Sequence, residues 1–360
     1  MLRQTPLYEA HVGLGARMVD FAGWNMPVQY SGALAEHHAV RNQAGLFDVS
    51  HMGRFEVTGA DAERFLQRLA CNDVARLREG QAQYSALLNN EGGFIDDIVV
   101  YRLASQRYLL CVNAARREAD WRWLEAGAFG DSKLVDRSDE LAQIALQGPL
   151  STKILQPLVT ADLASLPYYH ALACEVEEFP TLVSRTGYTG ELGYELYVPS
   201  EAAVTLWERL LEVGRDKGLQ PAGLAARNTL RLEAGYRLYG NDIDETTTPL
   251  EAGLGWIVGW GTGFVGESAL QRQKAEGLRR KLVGFVMEDP GIARDGYPVL
   301  REGQVVGKVT SGGFAPTLDK SIGMVYLPLD GIEPGTSIEI EIRGKRKRAS
   351  VCRLPFLRRG

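Results

Sequence analysis

The chain has 360 residues, 45% hydrophobic and 24% charged, enough to bury a sizeable core and, at roughly 100–200 residues per domain, to make two or three domains. Its net charge of -5 supplies no diffuse basic field, which argues against nucleic acid as the main partner. No run of about 18 apolar residues and no signal-like apolar stretch at the amino terminus occurs, so no membrane association is expected and the cytoplasm is the expected location.

Residues 1–52 are rich in turn signals and aromatics, among them Trp24, Pro27 and Tyr30, with a helix over 36–42. From 53 to about 136 the alternating runs RFEVTG, QYSALLN, FIDDIVVYRL and RYLLCVN predict antiparallel strands, and 61–69 and 116–126 predict amphipathic helices. Between 141 and about 240 the runs AQIALQG, EVEEFPTLVSRTG and YELYVP read as strands, with helices near 200–217 and 224–234. NDIDETTTP, full of turn and capping residues, reads as a linker. Beyond it KLVGFVM, QVVGKVTSGG, SIGMVYL and SIEIEIRG are short strands between Gly and Pro turns, the pattern of a small β-barrel or sandwich. The basic clusters at 345–348 and 358–359 read as a solvated turn and a tail.

Three segments can carry chemistry. In Gly92-Gly93-Phe94-Ile95-Asp96-Asp97-Ile98-Val99-Val100-Tyr101 a glycine pair runs into a strand whose side chains alternate, so Asp96 and Asp97 each interrupt an otherwise apolar face. A carboxylate in such a place either hydrogen-bonds turn amides at the strand entrance or has a chemical task. RTGYTGELGYE at 185–195 packs glycines, tyrosines and carboxylates into eleven residues, as backbone does beside a flat ligand or in a hairpin turn. Glu195 there begins a strand, and a carboxylate can accept two parallel N–H bonds from a guanidine-like edge. In GLAARNTLRLEAG at 223–235, Arg227 and Arg231 share a helical face and repel, which calls for an anion or for separate acidic partners such as Glu233 or the linker carboxylates.

Other patterns point to less. Asp48, Ser50 and His51 invite a hydrolase reading, but such triads are assembled from distant residues. Adjacent His37 and His38 cannot share a helical face, and Cys71, Cys111, Cys174 and Cys352 lack CxxC or metal-type spacing, so no metal site is expected. Residues 261–266 are a formal GxGxxG between a plausible strand over 254–260 and a helix over 267–275. The Gly- and Pro-bounded strands that follow cannot build a doubly wound sheet around it, so it reads as a loop and no nucleotide is expected.

Read in order, TPLYEAHVGLGARMVDFAGWNMPVQY (5–30), HHAVRNQAGLFDVSHMG (37–53), GGFIDDIVVYR (92–102), RTGYTGELGYE, GLAARNTLRLEAG and LYGNDIDETTTPLEAGLGW (238–256) resemble the T-protein family of the glycine cleavage system across nearly the whole chain. The resemblance implies an α+β fold, a three-domain cloverleaf of antiparallel sheets and helices with a C-terminal small, jelly-roll-like β-barrel. Its domains would be 1–53 with 138–245 for folate, an inserted 54–137, and the barrel over 246–360. It implies an aminomethyltransferase that takes a one-carbon unit from the lipoylated H-protein to tetrahydrofolate, with no metal, flavin or nucleotide. Asp96 matches the family's catalytic aspartate, Glu195 the acid at the pterin edge, and Arg227 the basic residue near the glutamyl end, while Met52, Tyr84 and Tyr188 match pterin-pocket positions. Asn228 stands where many relatives carry Asp, and Arg358 aligns only loosely with a tail that reaches the folate entrance. A folate-dependent demethylase and a non-enzymatic folate-binding protein of the same superfamily are the alternatives.

Overall fold

The computed structural model describes residues 1–357, so Arg358 lies outside the described residues. The chain opens with α1 (Tyr8–Gly13) and a hairpin of β1 (Arg17–Phe21) and β2 (Trp24–Gln29). It turns at Ala22 and Gly23, both at positive φ. Then come α2 (Ala33–Asn42), β3 (Ala44–Asp48), β4 (Gly53–Thr58), α3 (Ala62–Leu69), β5 (Gln81–Leu88), β6 (Phe94–Ala104), β7 (Arg107–Val112), α4 (Arg117–Gly127) and β8 (Lys133–Asp136). The middle of the chain supplies β9 (Leu141–Gln147), α5 (Ser151–Leu155), β10 (Ala171–Val176), β11 (Phe179–Ser184), β12 (Gly193–Pro199), α6 (Ala203–Gly214), β13 (Leu219–Pro221) and α7 (Leu224–Glu233). After α8 (Glu267–Glu276) come the strands β14 (Arg280–Met287), β15 (Pro298–Arg301), β16 (Gln304–Ala315), β17 (Lys320–Pro328), β18 (Ser337–Ile342) and β19 (Lys345–Cys352), with a short 3-10 helix over Leu329–Gly331 between β17 and β18.

Two compact units result. The first holds Met1–Leu69, Val74–Ser85 and Ile98–Asn228; the second holds Ala70–Asp73, Ala86–Asp97 and the chain from Thr229 onward. In the first, a six-stranded sheet has the order β10-β11-β12-β9-β3-β13. Alternation along β9 and β12 decides its two faces. Ile144, Leu146, Leu196 and Val198 join Leu206, Trp207 and Leu210 of α6 in one buried cluster, each such aliphatic side chain contributing about 1.5–3 kcal/mol when fully buried. The opposite face presents Gln143, Ala145 and Gln147 beside Glu195 and Tyr197, and is polar. A five-stranded sheet of order β5-β6-β7-β4-β8 brings Tyr101, Leu109 and Cys111 into one buried cluster with Tyr197.

In the second unit the six last strands close into a barrel in the order β14-β17-β16-β15-β18-β19, filled by Phe285, Val309, Val325, Ile338, Ile340 and Val351. The mixed helix-and-sheet class with a small C-terminal antiparallel barrel therefore stands, and the sheets are antiparallel except where β13 pairs with β3 in parallel. Three local expectations change. Residues 254–260 are no strand but turns around a short 3-10 helix, Gly255–Ile257. EVEEFPTLVSRTG is not one strand but the end of β10, the hairpin turn with Glu177 at φ 53, and β11. The basic cluster at 345–348 is the start of β19 rather than a turn; Arg346 and Arg348 stand opposite Glu341 and Glu339 of β18, and within β19 the buried residues are Ala349 and Val351.

Candidate active site

Glu195 is the third residue of β12 and only 9% exposed, so it is not the solvent-facing turn residue that a plain hairpin would make it. Its Oε1 accepts from Gln143 Nε2 at 3.1 Å and its Oε2 from Thr186 Oγ1 at 2.5 Å. Opposite it in register stand Ala145 on β9 and Ser184 on β11. Both are small, which leaves the space over the ladder to the longer side chains of Gln143 and Thr186. Cys111 Sγ donates to Gln143 Oε1 at 3.5 Å, and burial followed by the charge of Glu195 pushes this thiol up to about 12.

The glycine-rich segment before Glu195 lies on Gln147. This amide donates to the carbonyls of Thr186 and Tyr194 at 3.1 and 3.3 Å and accepts from Thr189 Oγ1 at 2.9 Å. A Cβ on Gly187 would stand 1.9 Å from Gln147 Oε1, and one on Gly193 2.5 Å from Gln147 Nε2. The close approach that these glycines permit is thus to a buried amide of the neighbouring strand. Arg41 fastens the far end of the segment, donating to the Thr189 carbonyl and to Glu191, both at 2.7 Å.

Tyr188, half-buried, carries the Arg227 guanidinium over its ring at 4.6 Å, a cation–π contact that gives this arginine a fixed direction. Arg227 itself is placed by the start of α7. There the buried carboxylate of Glu36 accepts from the Gly223, Gly32 and Tyr30 amides at 2.9, 3.0 and 2.6 Å. A side chain on Gly223 would strike the Val28 backbone at 2.5 Å. Met52 and Tyr84 are half-buried, and Asn228 is exposed.

Asp48, Ser50 and His51 do not form a triad. Asp48 Oδ2 takes Thr5 Oγ1 at 2.6 Å and His11 Nε2 at 2.9 Å, while its Oδ1 takes the Ser50 amide at 2.8 Å. Burial alone would raise this carboxyl, but those donors outweigh it and hold it at about 2. His51 is 2% exposed with no hydrogen-bond partner for Nδ1 among the described residues, and its ring meets that of Phe21 in a T-shaped contact with centroids 5.5 Å apart. Burial first, then the positive charges of Arg227 and Arg54, depress its pKa to about 4 against the opposing pull of Asp48.

In the second unit Asp96 is 0% exposed near the start of β6, whereas Asp97 is half-buried. The linker pins that strand entrance. The Phe94 amide donates to the Asp244 and Thr247 carbonyls at 3.1 Å each, Asn89 Nδ2 donates to the Glu245 carbonyl at 3.0 Å, and Tyr239 Oη donates to the Phe94 carbonyl at 3.2 Å. Gly93 is required here, since a Cβ would lie 1.9 Å from Glu245 O. Arg231 pairs with linker residue Asp242 at 2.8 Å, with 3% and 0% of the two side chains exposed, which answers the repulsion expected from Arg227. In the GxGxxG loop the amides of Gly261 and Gly263 both donate to the carboxylate of Glu267, so the protein's own side chain occupies the place a phosphate would take. Among the described residues no group of three or more His, Cys, Asp or Glu is arranged to hold a metal ion.

The GCVT N-terminal domain family matches residues 7–262, and the glycine cleavage T-protein C-terminal barrel domain family matches 280–357. The chain belongs to the glycine cleavage T-protein family. An aminomethyltransferase from Halothermothrix orenii is 50% identical over 357 residues, 99% of this chain and 100% of its own length. One from a Geobacillus species is 47% identical over 362 residues, the whole of both chains. The crystal structure of the glycine cleavage system aminomethyltransferase T from Bartonella henselae superposes with a TM-score of 0.93 at 38% identity, covering 99% of this chain and 98% of that one. The chain is accordingly an aminomethyltransferase, a transferase of the glycine cleavage system. In this T-protein the family motifs fall on the elements just described, and the residues around Glu195 that the motifs do not flag are Gln143 and Tyr197. The available signal was the alternation of polar residues in AQIALQG and YELYVP, at 143, 147, 195 and 197.

Proposed function

We propose that the chain transfers the one-carbon unit of an aminomethyl group, carried on the dihydrolipoyl arm of lipoylated H-protein, to tetrahydrofolate. Ammonia, the reduced arm and 5,10-methylenetetrahydrofolate are the products. The donor carbon is bonded to sulfur and nitrogen; it ends bonded to two folate nitrogens, whose hydrogens leave with ammonia and with the arm's thiol. The observation that carries this reading is Asp96, a carboxylate with no exposure held at a strand entrance that the linker and Gly93 pin. A fixed carboxylate there stabilises the iminium-like carbon left as ammonia departs and accepts a proton from the attacking folate nitrogen.

The other site residues divide the folate. Glu195 accepts from the amino-pyrimidinone edge of the pterin in the way a carboxylate accepts from a guanidine. Met52, Tyr84 and Tyr188 flank the ring, and Arg227 meets the glutamyl carboxylates. The protein needs no covalent bond to substrate; it positions the two reactants and keeps water away. With this go a cytoplasmic location and a division into 1–53 with 138–245, 54–137, and 246–360. Asp96→Asn is expected to bind tetrahydrofolate as the wild type does and to lose most of the turnover. Turnover near the wild-type rate would make Asp96 a structural residue of the turn.

A further inference from the structure

Glu195 is the pterin acceptor in the function proposed above, and the assignment made here rests on that role. The bonds around it can be directed by counting hydrogens. Thr186 has a single hydroxyl proton and gives it to Glu195 at 2.5 Å, so it must receive in its contact with Tyr101 at 3.3 Å. Tyr101, having given its proton to Thr186, must receive from Tyr197 at 3.0 Å. Tyr197 in turn receives from Gln143 Nε2 at 3.2 Å, the same amide nitrogen that donates to Glu195 Oε1. Ser184, within 2.8 Å of Thr186 and 3.3 Å of Tyr101, gives its proton to one of these two oxygens.

We infer that Gln143, Tyr197, Tyr101 and Thr186 form a hydrogen-bond ring with Glu195 in which two donor arms leave the Gln143 amide, one direct and one through Tyr197, Tyr101 and Thr186, and converge on Glu195, making them positioning residues that present it to the pterin as a carboxylate fixed at both oxygens. Cys111 closes the device. Its S–H donates to Gln143 Oε1, and so keeps the amide turned with its NH2, not its carbonyl, toward the carboxylate. Burial holds the protons on these donors: the Cys111 thiol is pushed up to about 12, and the Tyr101 and Tyr197 phenols are pushed well above their ordinary value. Gln143, Tyr101, Ser184 and Tyr197 are each 2% exposed or less, so water does not compete for the ring. A carboxylate fixed at both oxygens needs no reorientation when the ligand arrives, which is where preorganisation gains affinity.

The test compares Thr186→Val, Thr186→Ser, Glu195→Gln and the double variant Thr186→Val with Glu195→Gln, in the full chain. Tetrahydrofolate binding is measured by calorimetry and turnover with aminomethylated H-protein. Thr186→Val is expected to weaken tetrahydrofolate about tenfold, with the loss in KM rather than kcat, and Thr186→Ser to recover it to within about twofold. In the Glu195→Gln background the valine adds less than about twofold, because its effect runs through the carboxylate. Wild-type affinity in Thr186→Val, or a full additional loss in the double variant, overturns the ring. Unchanged affinity in Glu195→Gln alone overturns the pterin-edge role beneath it, and with it the ring. If Thr186→Val does not fold, Tyr101→Phe, which removes one oxygen two bonds away along the ring, is expected to weaken binding about threefold, and unchanged affinity there overturns the ring equally.

Discussion

His51 ties stability to pH in a direction the structure fixes. Folded, it is buried and neutral with a pKa near 4; unfolded, it returns to 6.5. Between those values the unfolded chain binds a proton that the folded chain does not, so stability is full above about 6.5 and falls as the pH drops toward 4. The slope is about 1.4 kcal/mol per unit, which makes about 3 kcal/mol over the whole window and about 2 kcal/mol between pH 6.5 and 5. His51→Gln keeps a neutral polar side chain but cannot take up the proton. Urea unfolding at pH 7.5, 6.5 and 5 should therefore show the wild type losing about 2 kcal/mol more than the variant between the last two conditions. The rest of the sequence is the same in both proteins, so the difference isolates this one. Equal slopes for the two proteins would refute the claim that His51 stays neutral in the folded core.

Two further outcomes are expected. Asp242→Asn removes the charge that pairs with buried Arg231, and one of the two carboxylate oxygens that accept from Thr310 and Ser311 at 2.6 and 2.8 Å. Breaking that buried ion pair, with Arg231 still held by the Tyr236 carbonyl and Ser311, should cost about 3 kcal/mol in denaturant unfolding; a loss below about 1 kcal/mol would mean that the pair is not closed in solution. Arg227→Ala should weaken tetrahydrofolate about tenfold by calorimetry, and unchanged affinity would remove Arg227 from the folate site.

Much of the fold is written locally. The apolar alternation of FIDDIVVYRL predicts β6 and separates Asp96 from Asp97, and the strand runs after 280 predict the barrel. What escapes local reading depends on partners distant in sequence. Gly187 and Gly193 look like a ligand cradle, but the group they accommodate is Gln147, some forty residues earlier. The basic start of β19 has no apolar alternation, and its pairing with β18 sets Arg346 and Arg348 against Glu341 and Glu339, so the strand is held there by a partner outside its local pattern. The GxGxxG loop is a loop because Glu267, a residue the motif does not specify, takes its amides. Arg231 and Arg227 share a helix face in the sequence, and only the folded linker shows that one belongs to Asp242 while the other rests on Tyr188. The catalytic and pterin-edge assignments came from the ordered family segments, because a carboxylate in an apolar strand reads equally as a turn residue.

The central claim is one-carbon transfer from a protein-bound aminomethyl group to folate, and ammonia release reports it directly. Incubating the chain with aminomethylated H-protein should release ammonia at a rate that rises with added tetrahydrofolate and saturates, in step with methylenetetrahydrofolate. Ammonia release that does not depend on tetrahydrofolate, or none at all from a chain that binds it, would contradict the account and favour a folate-binding module or a demethylase.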